Sequence, residues 1–103
     1  DGKVEMTNSL DESITESSAS TLTLSTSINY IFTGSSATFS LPTVAAGIKG
    51  RRYKIKNRGS SNLTIDVVGG GSTIWDTAAV SSVIIAAGAS AEFVLDTTYW
   101  NRE

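Results

Sequence analysis

The chain has 103 residues, 8 basic and 10 acidic side chains, a formal net charge of −2, and neither histidine nor cysteine. A chain of this length has room for one core, and the missing residue types exclude disulfides, thiol nucleophiles, Cys/His zinc sites and histidine general-base catalysis. A net negative charge is also unlike the basic footprint of a nucleic-acid-binding protein. We therefore expect no enzymatic activity, no cofactor, no metal and no nucleic-acid partner.

The first predicted element is a short helix over residues 8–17. Ser9 followed by Glu12 is a capping-box pattern, and Leu10 and Ile14 lie four residues apart on one face of such a helix. That face can dock on a neighbour. No apolar run approaches the length that spans a bilayer, so we expect no membrane insertion by this domain.

From residue 20 onward the pattern changes to short β-strands separated by turn residues. The predicted strands are 20–26, 28–33, 37–41, 51–58, 63–68, 72–76, 80–85, 91–96 and 99–102. No crossover helices separate them, which excludes an α/β plan, and many short strands at regular intervals are typical of a sandwich or barrel. We predict a β-sandwich domain over residues 20–103, preceded by the end of a helical shaft or a linker at 1–19.

The consecutive strands 51–58 and 63–68 alternate so regularly that a hairpin register can be predicted. Matching their apolar faces pairs Asn57 with Leu63, Ile55 with Ile65, and Tyr53 with Val67. The same register sets Lys54 opposite Asp66.

The strand 28–33 differs because it is apolar on both faces: Ile31 lies opposite to Ile28, Tyr30 and Phe32. A strand that is apolar on both faces is covered on both. The second cover is either another copy of the chain or a loop folded over the sheet, and the sequence leaves both open. For another copy, the predicted trimer-interface residues are Leu10, Ile14, Ile28, Tyr30, Ile31 and Phe32.

Six of the eight basic residues lie within positions 49–58, and strand alternation places four of them on one face. One interpretation is a site for carboxylates, acidic sugars or lipopolysaccharide phosphates, held by Arg51, Arg52, Lys54 and Lys56. The other interpretation is a solvated or edge strand that Lys and Arg protect from aggregation.

Aromatic side chains stack on sugar rings where they are exposed, and Tyr30, Trp75, Tyr99 and Trp100 are the candidates. Of the neighbours Tyr99 and Trp100, one must face outward. We predict Trp100 as the carbohydrate-stacking residue.

The stretch from Phe39 to Trp100 contains several short motifs. They are Phe39-Ser-Leu-Pro42, Gly50-Arg-Arg-Tyr-Lys-Ile-Lys-Asn57, Gly70-Gly71-Ser-Thr-Ile74 and Ala87-Gly88-Ala-Ser90-Ala-Glu-Phe93-Val94-Leu-Asp96. Together they resemble the β-rich modules at the ends of bacteriophage tail proteins, over about 60% of the chain. Such modules often have Asp-Gly-Thr where this chain has Asp96-Thr97-Thr98; a glycine there suits positive φ and Thr does not, so this turn is the one feature that the resemblance does not predict.

Within these modules, the chain most resembles the carboxy-terminal knob of the tail needle of short-tailed phages. The resemblance implies a jelly-roll or tumour-necrosis-factor-like sandwich with three copies around an axis. It also implies a non-enzymatic role in the virion, at the tip of a needle that plugs the portal channel and contacts the host envelope during attachment and genome ejection. The alternative is a carbohydrate- or receptor-binding tip domain of a phage tail fibre or spike.

Overall fold

The computed structural model describes residues 14–25 and 28–103, which form β-strands and turns without an α-helix. The strands are β1 (Ile14–Ser17), β2 (Thr21–Thr23), β3 (Asn29–Phe32), β4 (Ala37–Leu41), β5 (Arg52–Asn57), β6 (Leu63–Val67), β7 (Ile74–Trp75), β8 (Ala79–Val80), β9 (Val83–Ile85), β10 (Ser90–Leu95) and β11 (Trp100–Arg102). A 3₁₀ turn, Ala46–Ile48, precedes β5. In this part of the chain, no helix has the length and apolar character that crossing a membrane requires.

The all-β prediction is confirmed, and each predicted strand overlaps an observed one. The predicted helix is wrong where it can be checked, because Ile14–Ser17 is strand β1 and pairs in parallel with β3. A neighbouring strand supplies backbone hydrogen bonds that one isolated helical turn could not retain in water, and the β-branched Ile14 and Thr15 suit a strand. The rest of the predicted helix, including Leu10, lies outside the described residues.

The strands form two sheets that pack over one shared core. The larger sheet has the order β1-β3-β5-β10-β11-β7-β8, and the smaller sheet has the order β2-β4-β6-β9. From β1 to β6 the chain alternates between the sheets, and each strand lies parallel to the one two before it. A strand of the opposite sheet thus serves as the crossover that parallel pairing requires. We call β1 to β6 the parallel coil, and β7 to β11 the closing segment.

This connectivity differs from that of the expected jelly roll. Parallel pairing joins β1 to β3, β3 to β5, β2 to β4, β4 to β6, and β7 to β11. Jelly rolls are built from antiparallel strands in Greek-key order. The structure therefore shows a sandwich-like pair of sheets in which the parallel coil replaces the Greek keys.

The predicted hairpin of β5 and β6 is also wrong. Strand β5 lies in the larger sheet between β3 and β10, whereas β6 lies in the smaller sheet between β4 and β9. Lys54 is therefore beside Asn29 and Glu92 in the larger sheet. Asp66 and its partner Ser40 both lie in the smaller sheet, where Asp66 accepts a hydrogen bond of 2.5 Å from Ser40 Oγ. Two alternating strands with a short connection can form a hairpin in one sheet or lie in two facing sheets. In both arrangements their apolar faces point into the same core.

The side chain of Asn57 holds the corner between β5 and β6. Its amide nitrogen donates to the carbonyl oxygens of Ser61 and Ile85, both at 2.8 Å, and its oxygen accepts from the Gly59 N–H at 2.9 Å. Asn57 is fully buried, so these bonds satisfy a polar group whose burial would otherwise be costly. A Cβ atom on Gly59 would lie 2.2 Å from the carbonyl oxygen of Gly34, so successive corners of the coil stack in backbone contact.

A continuous series of aromatic rings joins the two sheets inside the core. The rings are Phe32, Phe39, Tyr30, Tyr53 and Trp100, with neighbouring centroids 5.5, 6.5, 5.9 and 5.5 Å apart in that order. Their polar tips are satisfied: the Tyr53 hydroxyl donates to the Ser25 carbonyl oxygen at 2.8 Å, and Trp100 Nε1 donates to the Pro42 carbonyl oxygen at 2.9 Å. This core gives the outer faces of both sheets a rigid support.

Candidate functional site

The outer face of the larger sheet carries the predicted basic site. Arg52, Lys54 and Lys56 alternate with buried residues along β5 and are exposed, as strand periodicity predicts. We call these three residues the basic ladder. Strand β5 is hydrogen-bonded to β3 on one side and β10 on the other, so it is not an edge strand. Protection of an exposed edge therefore does not explain the ladder, and a solvated face or an anion site remains.

The four predicted anion-binding residues are not equivalent in the structure. Arg52 donates to Glu92, with NH1 and Oε2 2.8 Å apart, and this hydrogen bond together with the carboxylate charge raises the pKa of Arg52. Arg51 lies outside the ladder, and its NH1 is 3.5 Å from both the Ser25 carbonyl oxygen and the Tyr53 hydroxyl. Lys54 and Lys56 form no ion pair with any described residue. Within the ladder, they are the two cations that no described carboxylate neutralises.

A shallow depression of about 180 Å³ lies beside the ladder, lined by Ile14, Asn29, Tyr30, Ile31, Lys54 and Lys56. Ile14 is 61% exposed, and Ile31 is half-buried on the same outer face. Two of the predicted trimer-interface residues thus meet at one place, with two lysines at its border.

The other predicted interface residues lie elsewhere. Tyr30 and Phe32 are 3% and 0% exposed because they point into the core of their own chain, so their assignment to an intersubunit surface is wrong. The smaller sheet covers the inner face of β3, and only the face that carries Ile31 is open. Ile28 is exposed just before β3, and Leu10 lies outside the described residues.

Trp100 is wrong as a carbohydrate-stacking residue, because its side chain is completely buried and its Nε1 is bonded to Pro42. The aromatic pair at the surface is instead the exposed Trp75 with the half-buried Tyr99, whose ring centroids are 5.2 Å apart with planes tilted by 59°. These residues are distant in sequence, and the parallel pairing of β7 with β11 brings them together. The alternation of Tyr99 and Trp100 was the available signal, but it could not show which of the two faces the core.

Asp96 fixes the turn that leads into Tyr99. Its Oδ1 accepts from the N–H groups of Thr98 and Tyr99, both at 2.7 Å, and its Oδ2 accepts from Asn101 Nδ2 at 3.0 Å. The bond from Asn101, followed by those from Tyr99 and Thr98, lowers the pKa of Asp96. A carboxylate that accepts three hydrogen bonds is favoured in its charged form.

The turn at Thr97 differs from the turn that a glycine would form there, because Thr97 does not have a positive φ. Among the described non-glycine residues, positive φ occurs at Thr77 alone, with a value of 65°. The Asp96 side chain closes the turn after β10 through its bonds to backbone N–H groups, so this turn does not require the left-handed conformation that a glycine would supply.

Across residues 14–25 and 28–103, no three Asp or Glu side chains lie close enough together to hold a metal ion. No family model matches the chain, and no curated protein or solved structure shows significant similarity to it. The surfaces described above are therefore the basis for assigning a function.

Proposed function

We propose that this chain is a non-enzymatic tail-tip module of a bacteriophage virion, a trimeric knob at the distal end of a tail needle that contacts the host envelope during attachment and genome ejection. The sequence motifs between residues 39 and 100 support the phage assignment. The connectivity of the parallel coil replaces the jelly-roll or tumour-necrosis-factor-like connectivity that the resemblance implied. The proposed needle tip is therefore a two-sheet domain built on the parallel coil.

The observation that carries the trimer proposal is the apolar patch on the outer face of the larger sheet, formed by Ile14 and Ile31. An exposed apolar cluster costs free energy in water, and a second copy that covers it removes that cost. A chain of 103 residues also buries a smaller share of its surface than a large protein does, so association stabilises it. Lys54 and Lys56 at the border can cover apolar surface with their methylene stems while their ammonium groups stay in water.

Sedimentation equilibrium of the full 103-residue chain tests the trimer. We expect a trimer in the high micromolar range, and dissociation in Ile14→Glu and Ile31→Glu, because each variant places a charge in the buried contact. Ile84→Glu is the matched control: Ile84 is 54% exposed on the outer face of the smaller sheet, away from the patch. A native chain that sediments as a monomer contradicts the proposal, as does equal dissociation by all three variants.

A receptor-binding tip of a tail fibre or spike is the second candidate, and the two unpaired lysines of the basic ladder favour it. Lys54 and Lys56 stand two residues apart on an open face, as a chain of carboxylates or phosphates would require. Binding to purified lipopolysaccharide, weakened by salt and by Lys54→Ala or Lys56→Ala, would support this function. Lys49→Ala removes the same charge outside the ladder and serves as the control. Both lysines border the trimer patch, so a trimer whose contact covers them would exclude this candidate.

A further inference from the structure

We infer that Trp75, Tyr99 and Asn101 form a carbohydrate-binding site for one pyranose ring. The site lies on the outer face of the larger sheet, where Asn101 of β11 is directly paired with Trp75 of β7. The strand order places β7 four strand spacings from β3, which is about 19 Å at the usual distance between neighbouring strands. The site is therefore separate from the patch around Ile31.

The aromatic pair provides the apolar surface of the site. Trp75 is 43% exposed although it contacts Tyr99, and the tilt of 59° between the rings means that neither ring covers the other face to face. A pyranose has a face of C–H groups that packs on an aromatic ring, while its hydroxyls remain at the rim. Aromatic side chains with one apolar and one polar portion suit such a ligand.

Asn101 provides a hydrogen-bond acceptor in a defined orientation. Its Nδ2 donates to the carbonyl oxygens of Val94 and Tyr99, at 3.2 and 3.3 Å, and to Asp96 Oδ2 at 3.0 Å. Three oxygen neighbours identify this atom as the nitrogen and set the direction of the amide. The side-chain oxygen of Asn101 accepts no hydrogen bond from the described residues, so it can accept one from a sugar hydroxyl. The Tyr99 hydroxyl is likewise without a described partner.

The site is also held in place before a ligand binds. Asp96 bonds the backbone N–H groups of Thr98 and Tyr99, and the next residue, Trp100, is anchored in the core through Pro42. Both ends of the short segment that carries Tyr99 are therefore fixed. Binding to a preorganised surface loses less conformational entropy, which matters most for a ligand with few contacts.

The neighbours of the pair favour a sugar ring over a protein partner. On the outer face, Trp75 is paired with Ala79 on one side and with Asn101 on the other, and Val94 follows beyond Asn101. These neighbours are small or polar, or half-buried in the case of Val94. Protein docking patches are contiguous apolar areas of several hundred Å². One aromatic pair beside a carboxamide matches a single pyranose ring in size.

Saturation-transfer NMR and tryptophan fluorescence test the site. The probes are methyl α-D-glucopyranoside, methyl α-D-galactopyranoside, methyl α-L-rhamnopyranoside and N-acetyl-D-glucosamine. We expect at least one probe to bind saturably, with a dissociation constant of about 1 mM, as a ligand of this size allows. Trp75→Ala should weaken binding about tenfold or more, and Tyr99→Phe by less. Ile84→Ala, at an exposed apolar position of the other sheet, should bind as the native protein does.

The inference is overturned if the native protein binds none of the probes, or if Trp75→Ala binds as tightly as the native protein. Trp75 is an exposed residue, so near-ultraviolet circular dichroism of Trp75→Ala should retain the signal of the buried Trp100 and confirm that the variant is folded. Sugar binding by a chain that sediments as a monomer would refute the trimer and leave this site intact. A trimer that binds no sugar would refute this site and leave the trimer proposal intact.

Discussion

The parallel coil and the closing segment use the same two sheets in different ways. In the coil, each strand pairs with the strand two before it, and the corners approach so closely that Gly59 has no space for a side chain. In the closing segment, antiparallel β7 and β8 and antiparallel β10 and β11 add to the larger sheet. The coil therefore depends on contacts between successive turns of the chain, whereas the closing segment combines tight antiparallel turns with the parallel pairing of β7 and β11.

The parallel coil supports the fold, whereas the closing segment carries the candidate binding site. At the corner between β5 and β6, Asn57 is buried with its side-chain amide fully bonded, which leaves little room for change. The closing segment instead leaves Trp75 exposed and the side-chain oxygen of Asn101 without a hydrogen bond from the described residues. We expect substitutions of Asn57 and Gly59 in this coil corner to reduce the free energy of unfolding strongly, and substitutions in the turns of the closing segment to have smaller effects.

The largest effect is expected for Asn57→Leu. The substitution removes the partners of two carbonyl oxygens and of the Gly59 N–H at a buried corner. Leaving buried polar groups unpaired costs about 1–3 kcal/mol each, so the free energy of unfolding should fall by about 3 kcal/mol or more. Urea unfolding measures it. Asn62→Leu, at an exposed position of the same corner, should change stability little, and an equal loss in both variants would contradict the role of Asn57.

Gly59→Ala should destabilise next most strongly. The new Cβ would lie 2.2 Å from the Gly34 carbonyl oxygen, and both groups are backbone-bound and cannot rotate away. Overpacking of this kind costs about 1–3 kcal/mol. The control is Gly47→Ala, because a Cβ at Gly47 meets no atom within 4 Å and its φ is not positive. Comparable urea midpoints for the two variants would show that the corners do not stack as described.

Thr77→Gly should stabilise the protein, which distinguishes the closing segment from the coil. Thr77 lies between β7 and β8 with a φ of 65°, a conformation that is costly for a β-branched residue. Relief of that strain exceeds the added entropy of a glycine in the unfolded chain, for a net gain of about 1 kcal/mol. Thr97→Gly, in an exposed turn without positive φ, should instead lower the thermal midpoint. A loss of stability in Thr77→Gly would contradict this account.

The smallest effect concerns the pH dependence of Asp96. Because its pKa is lower in the folded protein than its unfolded value, it contributes stability above about pH 3.9, the ordinary pKa of Asp, and loses that contribution as pH falls through the folded pKa. The native protein should therefore lose more stability on acidification than Asp96→Ala does. Urea unfolding at neutral and acidic pH measures the difference. Identical slopes would show that the three hydrogen bonds of Asp96 contribute nothing measurable.

The sequence predicted the positions of strands well and the pairing between strands poorly. Strand positions followed from the alternation of apolar residues, and the outward direction of Arg52, Lys54 and Lys56 followed from the same period. Alternation also made the hairpin of β5 and β6 plausible, although Lys54 and Asp66 lie in different sheets. Of the candidate site, the basic ladder was predictable. The Trp75 and Tyr99 pair was not, because it depends on pairing between strands far apart in sequence.

By itself, the sequence determined that residues 20–103 form a β-domain, where most of its strands lie, and which residues of β5 are exposed. These properties depend on the geometry of single strands, in which neighbouring side chains point to opposite faces. Only the tertiary structure decided that Ile14 belongs to a strand, that β5 and β6 face each other across a core, and that Trp100 is buried while Tyr99 is not. Each of these depends on which distant strand supplies the hydrogen bonds, and the period of one strand carries no information about its partner.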